Sequence, residues 1–166
     1  MREFQPDYTN MIKAARNVEV KRFPLYEHKV DPKVMEQITG VAFADLYNGA
    51  DRDLDEFFRN YCNFYRDMGY DTVSFEELIG PAMPGSGALG EHVKGVIQTR
   101  EDFERYPWDG ICDTYFQMYH RSFEALRRNM PEGMKAIGGV GYGIFECVQD
   151  LVGYEDLCYI RADDED

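Results

Sequence analysis

The amino-acid sequence predicts an α/β protein whose parallel sheet is open and flanked by helices. Three segments with the composition of strands alternate along the chain with segments of helical period. The last of them, residues 136–137, runs into four glycines in six positions that open an apolar helical face. A closed eight-stranded barrel has about 250 residues, whereas this chain has 166. The sequence therefore predicts either an open α/β domain or part of a larger barrel, folded as a single domain over residues 1–166.

The composition restricts the classes of partner and compartment. The chain carries 18 Lys and Arg against 31 Asp and Glu, a net charge of −13. This charge argues against a general nucleic-acid binder and against an anionic membrane surface, although a local basic pocket stays possible. The four cysteines lack the spacing of a metal knuckle and lie in apolar helical contexts, so we expect free, buried thiols. Since no signal peptide and no membrane-length apolar run is present, we expect a cytoplasmic protein.

Two short amphipathic helices are predicted near the start of the chain. The first spans residues 7–17. The second begins at Asp31 and Pro32, a capping residue followed by proline at the first helical position, and ends at Gly40. The residues expected to face inward are Met11, Ile12 and Ala15 in the first helix and Val34, Met35 and Ile38 in the second.

A first strand is predicted between these helices. Residues 18–28 form an extended segment, because Pro24 is incompatible with a helix interior. Apolar residues cluster toward the end of this segment, and we assign the strand to residues 23–26. Glu27 and His28 then lie at its carboxyl end.

The helix that begins near Asp51 has the clearest signal in the chain. Its apolar face is wide and aromatic, and Gly69 ends it. An aromatic stripe of this kind belongs to a core far more often than to a cofactor site, so we assign it to the core. Its residues are Leu54, Phe57, Phe58, Tyr61, Cys62, Phe64, Tyr65 and Met68.

A second strand follows at residues 71–75, which are β-branched and aromatic. Glu76 and Glu77 stand at its end. Residues 80–92 are then rich in Gly and Pro and too long for a plain connector. Loops of this length in a compact domain are usually functional or disordered.

The rest of the chain predicts four helices and the third strand. Thr99 caps a brief helix before Pro107, and a long helix covers residues 109–129. After the strand at 136–137, one helix begins near Ile144 and a further one covers residues 154–160. In the helix near Ile144 the inward residues are Ile144, Phe145, Cys147, Val148, Leu151 and Val152, with Glu146, Gln149 and Asp150 outward.

The glycine turn at residues 138–143 allows two interpretations. Glycine permits close approach of the backbone to a ligand or, equally, to a packed neighbouring strand. Ligands of parallel sheets bind at the carboxyl ends of strands, which makes Tyr142 and Glu146 candidate site residues. The turn does not match a dinucleotide fingerprint, since the third glycine of that pattern falls on Ile144.

Five stretches of the chain, taken in order, carry a family resemblance. They are Phe-Pro-Leu-Tyr-Glu-His at 23–28, Gly-Tyr-Asp-Thr-Val-Ser-Phe-Glu at 69–76, Gly-Ser-Gly-Ala-Leu-Gly at 85–90, Thr-Arg-Glu-Asp-Phe-Glu-Arg-Tyr-Pro-Trp at 99–108, and residues 131–159. With them the chain resembles the amino-terminal half of the uroporphyrinogen decarboxylase superfamily, and most of all its bacterial relatives grouped with corrinoid-dependent methyltransferases. The resemblance covers nearly the whole chain and is more specific for the superfamily than for the reaction.

The resemblance implies a (β/α)₈ barrel longer than this chain. The chain would form its first three βα units, a truncated barrel with an open parallel sheet. One mouth would then gather the residues at the carboxyl ends of the three strands, with Tyr26, Tyr142, Gly139 and Gly141 binding substrate. The residues of that mouth are Tyr26, Glu27 and His28, then Glu76 and Glu77, then Gly139 to Tyr142.

For the decarboxylases, the resemblance implies an acidic residue after the second strand that faces the pyrrole nitrogens of the tetrapyrrole. That position falls on Glu76. It also implies arginines after the first strand that hold the substrate carboxylates. Here residues 26–31 contain only Lys29, and Arg22 precedes the strand. This departure counts against uroporphyrinogen as substrate.

For the methyltransferase-like relatives, the resemblance implies either zinc held by His and Cys ligands or an acidic pocket that handles a methylated substrate delivered to a corrinoid protein. The zinc ligands of the family come from later strands. None of His28, His92, His120 or the four cysteines has ligand spacing that would replace them. We therefore expect no cofactor or metal in this chain, with zinc and a corrinoid partner as properties of a full-length member.

The leading prediction is methyl transfer with a corrinoid protein, with Glu76, Glu27 and His28 as acid, base or substrate-orienting groups. In the alternative interpretation Glu76 and Glu77 are a solvated strand end, and His28 caps the turn before Asp31. Two other functions stay open. One is uroporphyrinogen decarboxylation in porphyrin biosynthesis, and the other is a non-catalytic half-barrel that associates with itself or a partner chain through an exposed sheet edge.

Overall fold

A computed structural model describes residues 4–163 of the chain. Within these residues the chain combines helices with two strands, as expected for a protein that mixes both. The α-helices are α1 (Thr9–Ala15), α2 (Pro32–Thr39), α3 (Asp51–Asp67), α4 (Ala88–Glu91), α5 (Arg100–Arg105), α6 (Ile111–Asn129), α7 (Ile144–Val152) and α8 (Tyr154–Asp163). The strands are β1 (Thr72–Ser74) and β2 (Lys135–Ile137), and short 3₁₀ helices cover Ala44–Asn48, Gly80–Ala82 and Trp108–Gly110.

The described residues fall into two compact units. The first comprises residues 4–76 and 120–138, and the second comprises residues 77–119 and 139–163. Both strands and the extended segment before α2 belong to the first unit, whereas the glycine turn from residue 139 onward belongs to the second. The single domain over residues 1–166 stays a prediction.

The sheet of the first unit is parallel. Thr72, Val73 and Ser74 of β1 pair with Lys135, Ala136 and Ile137 of β2, and the Phe75 amide donates to the Ile137 carbonyl at 3.0 Å. All three residues of β1 are buried, as expected for a strand of a parallel sheet. Parallel strands need a long crossover connection, here the chain from residue 75 to 134. The prediction of an α/β fold with a parallel sheet is confirmed.

The predicted first strand at residues 23–26 was wrong as a strand. Within the described residues, the sheet consists of β1 and β2 alone. Pro24 has no amide hydrogen to give to a ladder, and the Phe23 side chain is 85% exposed rather than packed. Self-association through an open sheet edge stays a prediction.

The extended segment nevertheless runs beside β1 and in the same direction. At its start the Arg22 guanidinium forms an ion pair with Asp71, the residue before β1. At its end His28 Nε2 lies 3.0 Å from Glu76 Oε1, two residues after β1. The segment of residues 22–28 therefore occupies the place that the predicted strand would take, held by side chains at both ends instead of by backbone pairing.

The core of the first unit is built on the aromatic face of α3, as the sequence predicts. The rings of this face meet at centroid distances of 5.0 to 6.2 Å, two pairs edge to face, one stacked and one tilted, within the range of distances that aromatic pairs prefer. Gly69 ends the helix with φ of +88°, a conformation that glycine adopts readily. The buried residues of α3 are Leu54, Phe57, Phe58, Tyr61, Cys62, Phe64 and Tyr65.

The predicted helix ends are confirmed more completely than the predicted inward faces. The Asp31 carboxylate caps α2 by accepting from the Lys33 amide at 2.7 Å, and Thr99 forms a capping box with Asp102 at the start of α5. In α2, however, Met35 is buried while Val34 and Ile38 are about half exposed. Helix α2 buries one narrow stripe, so an apolar residue beside that stripe remains in solvent.

The inward face of α1 was predicted wrongly. Asn10 is the buried residue of this helix, whereas Ile12 is 42% exposed and Ala15 is also exposed. The reason is a polar contact, because the Asn10 amide lies 3.5 Å from the buried Asp71 carboxylate. A buried carboxylate requires hydrogen-bond partners, and Asn10 is one of them.

In the second unit, the predicted inward face of α7 is confirmed at Leu151 and Val152, which are buried, but not in the first turn of the helix. Ile144 is 88% exposed and Phe145 is 64% exposed. Asp150, expected in solvent, is buried and accepts from the Leu89 amide at 3.2 Å. The segment of residues 80–92 is therefore packed against α7 rather than left as an irregular loop, and it includes a 3₁₀ turn and α4.

Only part of the prediction of buried thiols is confirmed. Cys62 is buried in the α3 core, and burial raises the pKa of its thiol to about 12. Cys112 and Cys158 are exposed, and Cys147 is partly buried. The two exposed cysteines lie on helices that turn one face to solvent.

Among the described helices, none combines the length and the hydropathy that a membrane crossing requires.

Glu36 on α2 fixes the turn that leads to α3, and this contact should depend on pH. Its Oε1 accepts from the Phe43 amide at 2.6 Å and from the Ala44 amide at 2.7 Å. These bonds, with help from Lys33, hold the pKa of the Glu36 carboxyl below its ordinary value of 4.5. A carboxyl whose pKa is lowered on folding stabilises the fold above its unfolded pKa and loses that effect as the pH falls.

We therefore expect Glu36→Gln to lower the urea midpoint of unfolding at pH 7. At pH 3 the midpoints of the variant and the wild type should approach each other, because the wild-type carboxyl becomes protonated. Urea titrations followed by circular dichroism at both pH values measure this. The exposed Glu56, replaced by Gln in the same way, is the control and should change neither midpoint. A Glu36→Gln effect of equal size at both pH values would contradict the assignment.

Candidate functional site

The candidate site lies in the first unit, where the extended segment and both strands end at the same edge. Tyr26 and His28 come from the end of the extended segment, Glu76 follows β1, and Gly138 follows β2. Because the three elements run parallel, their carboxyl ends meet there. This is the edge at which parallel α/β proteins bind ligands.

A hydrogen-bonded chain of three side chains crosses this edge. The Tyr26 hydroxyl lies 3.3 Å from His28 Nδ1, and His28 Nε2 lies 3.0 Å from Glu76 Oε1. A neutral imidazole that donates from Nε2 to the carboxylate accepts from the tyrosine hydroxyl at Nδ1. Protonation of the imidazole strengthens the contact with Glu76, since that bond then joins two opposite charges.

The members of this chain differ in their access to solvent. The Glu76 side chain is 16% exposed, whereas that of His28 is 69% exposed and Tyr26 is half exposed. The mostly buried carboxylate of Glu76 thus fixes the imidazole of His28, which stays accessible to solvent and to a ligand. This arrangement suits a group that exchanges protons with a bound molecule.

A small cavity of about 50 Å³ opens beside the three side chains. One buried water needs about 15 Å³ of cavity volume, so the cavity can admit a small chemical group. Four of its lining residues were not among the predicted site residues. Only Gly138 carried a sequence signal, as the first residue of the glycine turn. The lining residues are Tyr26, His28, Ser74, Phe75, Glu76, Ile137 and Gly138.

Glu27, a predicted catalytic residue, does not line this cavity. Alternate residues of an extended chain point to opposite sides, so Glu27 turns away from Tyr26 and His28. It lies close to two tyrosines of the core side. Burial raises the pKa of Tyr65 and of Tyr70, and the negative charge of Glu27 adds to both rises.

Tyr142, Gly139 and Gly141, the predicted substrate-binding residues after β2, belong to the second unit. Tyr142 packs against its small apolar core and against Gly80, where an added Cβ would lie 3.2 Å from the tyrosine ring. The Gly139 carbonyl accepts from the Tyr115 hydroxyl at 3.4 Å. Gly141 has φ of +75° and abuts Leu78. These contacts are close packing within the second unit, and substrate binding by Tyr142, Gly139 and Gly141 stays a prediction.

Two other acidic residues near the predicted mouth have contacts of their own. The Glu77 carbonyl accepts from the Tyr115 hydroxyl at 3.2 Å, and the Glu77 charge adds to the effect of burial in raising the pKa of Tyr119. Glu146 caps α7 by accepting from the Gly143 amide at 2.6 Å. Both residues are thus explained by contacts within the second unit.

The second unit also contains a larger groove, of about 760 Å³. Its charged side chains include Lys94 and Asp156, which form an ion pair at 3.2 Å. We favour the smaller cavity as the candidate site because a phenol, an imidazole and a carboxylate are linked there. The groove is lined by His92, Val93, Lys94, Tyr154, Glu155, Asp156 and Tyr159.

Within residues 4–163, no group of three or more His, Cys, Asp or Glu side chains is arranged to hold a metal ion. The chemistry that the described side chains can perform themselves is proton transfer and hydrogen bonding by Tyr26, His28 and Glu76. Comparisons of the chain with protein-family models, with curated proteins and with solved structures found no match.

Proposed function

We propose that this chain forms the first part of a uroporphyrinogen decarboxylase-like barrel and carries the acid and base groups of a methyl-transfer site that works with a corrinoid protein. The observation that supports this most is the linked Tyr26, His28 and Glu76 at the carboxyl ends of parallel elements. The family resemblance implies the same edge as the mouth of a barrel. The extended segment, β1 and β2 would then occupy the positions of the first three strands of that barrel.

In this proposal the three side chains manage one proton. Removal of a methyl group from a neutral amine, alcohol or ether leaves a heteroatom that must take up a proton. The Tyr26 hydroxyl donates its proton to that heteroatom and takes one in turn from Nδ1 of the protonated His28, whose Nε2 keeps its contact with Glu76. A reduced corrinoid supplies the nucleophile that accepts the methyl group. The described donor set does not fit zinc, so no step depends on it.

The charges around the cavity favour methyl transfer over decarboxylation of a tetrapyrrole. A substrate with many carboxylates requires cationic side chains, and the lining residues of this cavity include no Lys or Arg. Arg22, at the start of the extended segment, forms an ion pair with Asp71 at the opposite end of β1. A neutral or cationic methylated substrate suits a site with a carboxylate at its centre.

We expect Glu76→Gln to reduce methyl transfer about 100-fold, the contribution of one positioned acid or base group. The amide keeps the shape of the side chain but removes the charge that anchors the His28 imidazole. The full chain is incubated with reduced cobalamin and with methylated amines, methanol or aryl methyl ethers. Methyl transfer is then followed by the visible absorption of the cobalamin.

The matched control is Glu132→Gln, which removes an exposed carboxylate of the same unit and should leave the rate unchanged. Absence of transfer from all three donor classes would count against methyl transfer by this chain. Loss of the rate in Glu77→Gln, with the rate kept in Glu76→Gln, would move the acidic role to the neighbouring residue.

A further inference from the structure

The buried hydroxyl of Tyr61 is bonded to the backbone just before the candidate site. Tyr61 is 4% exposed, and its hydroxyl donates to the Ser74 carbonyl at 2.7 Å. Ser74 is the last residue of β1, and Glu76 follows it by two positions. Burial raises the pKa of Tyr61, with smaller effects from its neighbours that include Glu76. The hydroxyl therefore stays protonated and remains a donor.

The ring of Tyr61 also holds the residue between Ser74 and Glu76. Its centroid lies 6.0 Å from that of Phe75, edge to face, and the Phe58 ring packs on Phe75 from the same helix at 4.9 Å. The chain at residues 74–75 is thus fixed twice by α3, through a backbone carbonyl and through a ring. A carboxylate that meets an imidazole at 3.0 Å needs such a support, because shifts of a few tenths of an ångström weaken the bond.

We propose that Tyr61 is a positioning residue that fixes the end of β1 so that Glu76 meets His28. The inference deepens the proposed function, because it names a residue that acts on the same site without touching a substrate. It requires only the contact between His28 and Glu76. Its test is therefore independent of whether methyl transfer occurs.

The test is the rate at which diethyl pyrocarbonate modifies each of the three histidines, measured by peptide mass spectrometry. The reagent attacks an imidazole nitrogen that carries no proton. The contact with Glu76 keeps the proton on Nε2 and so protects that nitrogen of His28. Removal of the hydroxyl in Tyr61→Phe should raise the His28 rate about fivefold, the change in population that corresponds to one ordinary hydrogen bond. Glu76→Ala should raise it by a similar factor, while His92 and His120 keep their wild-type rates in both variants.

The control variant is Tyr47→Phe, which removes another hydroxyl of the same core, one bonded to Ser122 at 3.0 Å. It should leave the His28 rate unchanged. An equal rise in Tyr47→Phe, or a rise at all three histidines, would mean that loosening of the core explains the result and would overturn the proposal. An unchanged His28 rate in Tyr61→Phe would overturn it as well, whatever Glu76→Ala does.

Discussion

Phe58→Ala is expected to lower the free energy of unfolding by about 4 kcal/mol, the usual cost of removing a large ring from a packed core. The Phe58 side chain is fully buried. Its ring meets Phe57 at 5.0 Å and Phe75 at 4.9 Å, both edge to face. The cavity left by the substitution therefore lies between α3 and the chain that follows β1. Urea unfolding followed by circular dichroism measures the change.

The matched control is Phe23→Ala in the same unit. Phe23 is 85% exposed, so its removal should change the free energy of unfolding by less than about 0.5 kcal/mol. Similar losses in the two variants would mean that the extended segment is packed in solution and that residues 23–26 form the strand that the sequence predicts.

The sequence predicts helix α3 closely because everything that forms this helix is local. Apolar residues recur with a period of 3.6 over its whole length, and Gly69 follows as an ending signal. The observed helix, Asp51–Asp67, has the predicted buried face except at Met68, which follows the helix and is 43% exposed. A strand cannot be predicted as well from its own residues, because its hydrogen bonds are made with other segments. Residues 23–26 have the composition of a strand but form none.

The candidate site is predictable in part. The sequence predicts Glu76 and His28 as site residues at the ends of two parallel elements, and they lie 3.0 Å apart. It predicts Glu27 with them, although the period of two in an extended chain places Glu27 on the opposite side from its neighbours. Tyr61 could not be identified from the sequence. Its spacing marks it as a core residue, and only the fold brings its hydroxyl to Ser74.

Buried polar residues account for further differences between the predicted and the observed buried faces. Asn10, Asp71 and Asp150 were assigned to no core, since the helical and strand patterns count only apolar residues. Each is buried because a specific partner compensates for the loss of water. Asp71 has the most such partners, and it determines where the extended segment begins.

Asp71→Asn is expected to lower the free energy of unfolding by about 3 kcal/mol, because it removes the charge from a buried carboxylate and with it the strength of its hydrogen bonds. The Asp71 side chain is 1% exposed. Its carboxylate pairs with Arg22, accepts from the Asp7 amide at 2.6 Å and lies 3.5 Å from the Asn10 amide. Arg22 and the Asp7 amide share Oδ1, and an asparagine oxygen could still accept from both, but without the negative charge. The asparagine amide would replace Oδ2 and so place a donor against the donor amide of Asn10. Urea unfolding again measures the loss.

Asp67→Asn is the control, since Asp67 forms an exposed ion pair with Arg66 at 2.8 Å. Such pairs contribute less than about 1 kcal/mol. A double-mutant cycle of Arg22→Met and Asp71→Asn should give a coupling of about 2 kcal/mol. A coupling near zero would mean that Arg22 does not hold the segment in solution.

The Asp71 substitution should also reach the candidate site at the other end of β1. The extended segment is fixed beside β1 by the ion pair at Arg22 and by the contact between His28 and Glu76. When the first is removed, the contact between His28 and Glu76 and the buried Pro24 must order the segment, and the entropy of that ordering weakens the contact at His28. The rate at which diethyl pyrocarbonate modifies His28 should therefore rise in Asp71→Asn under conditions in which the protein is still folded. An unchanged rate would mean that Glu76 holds His28 without the segment, so that β1 and Tyr61 alone determine the geometry of the site.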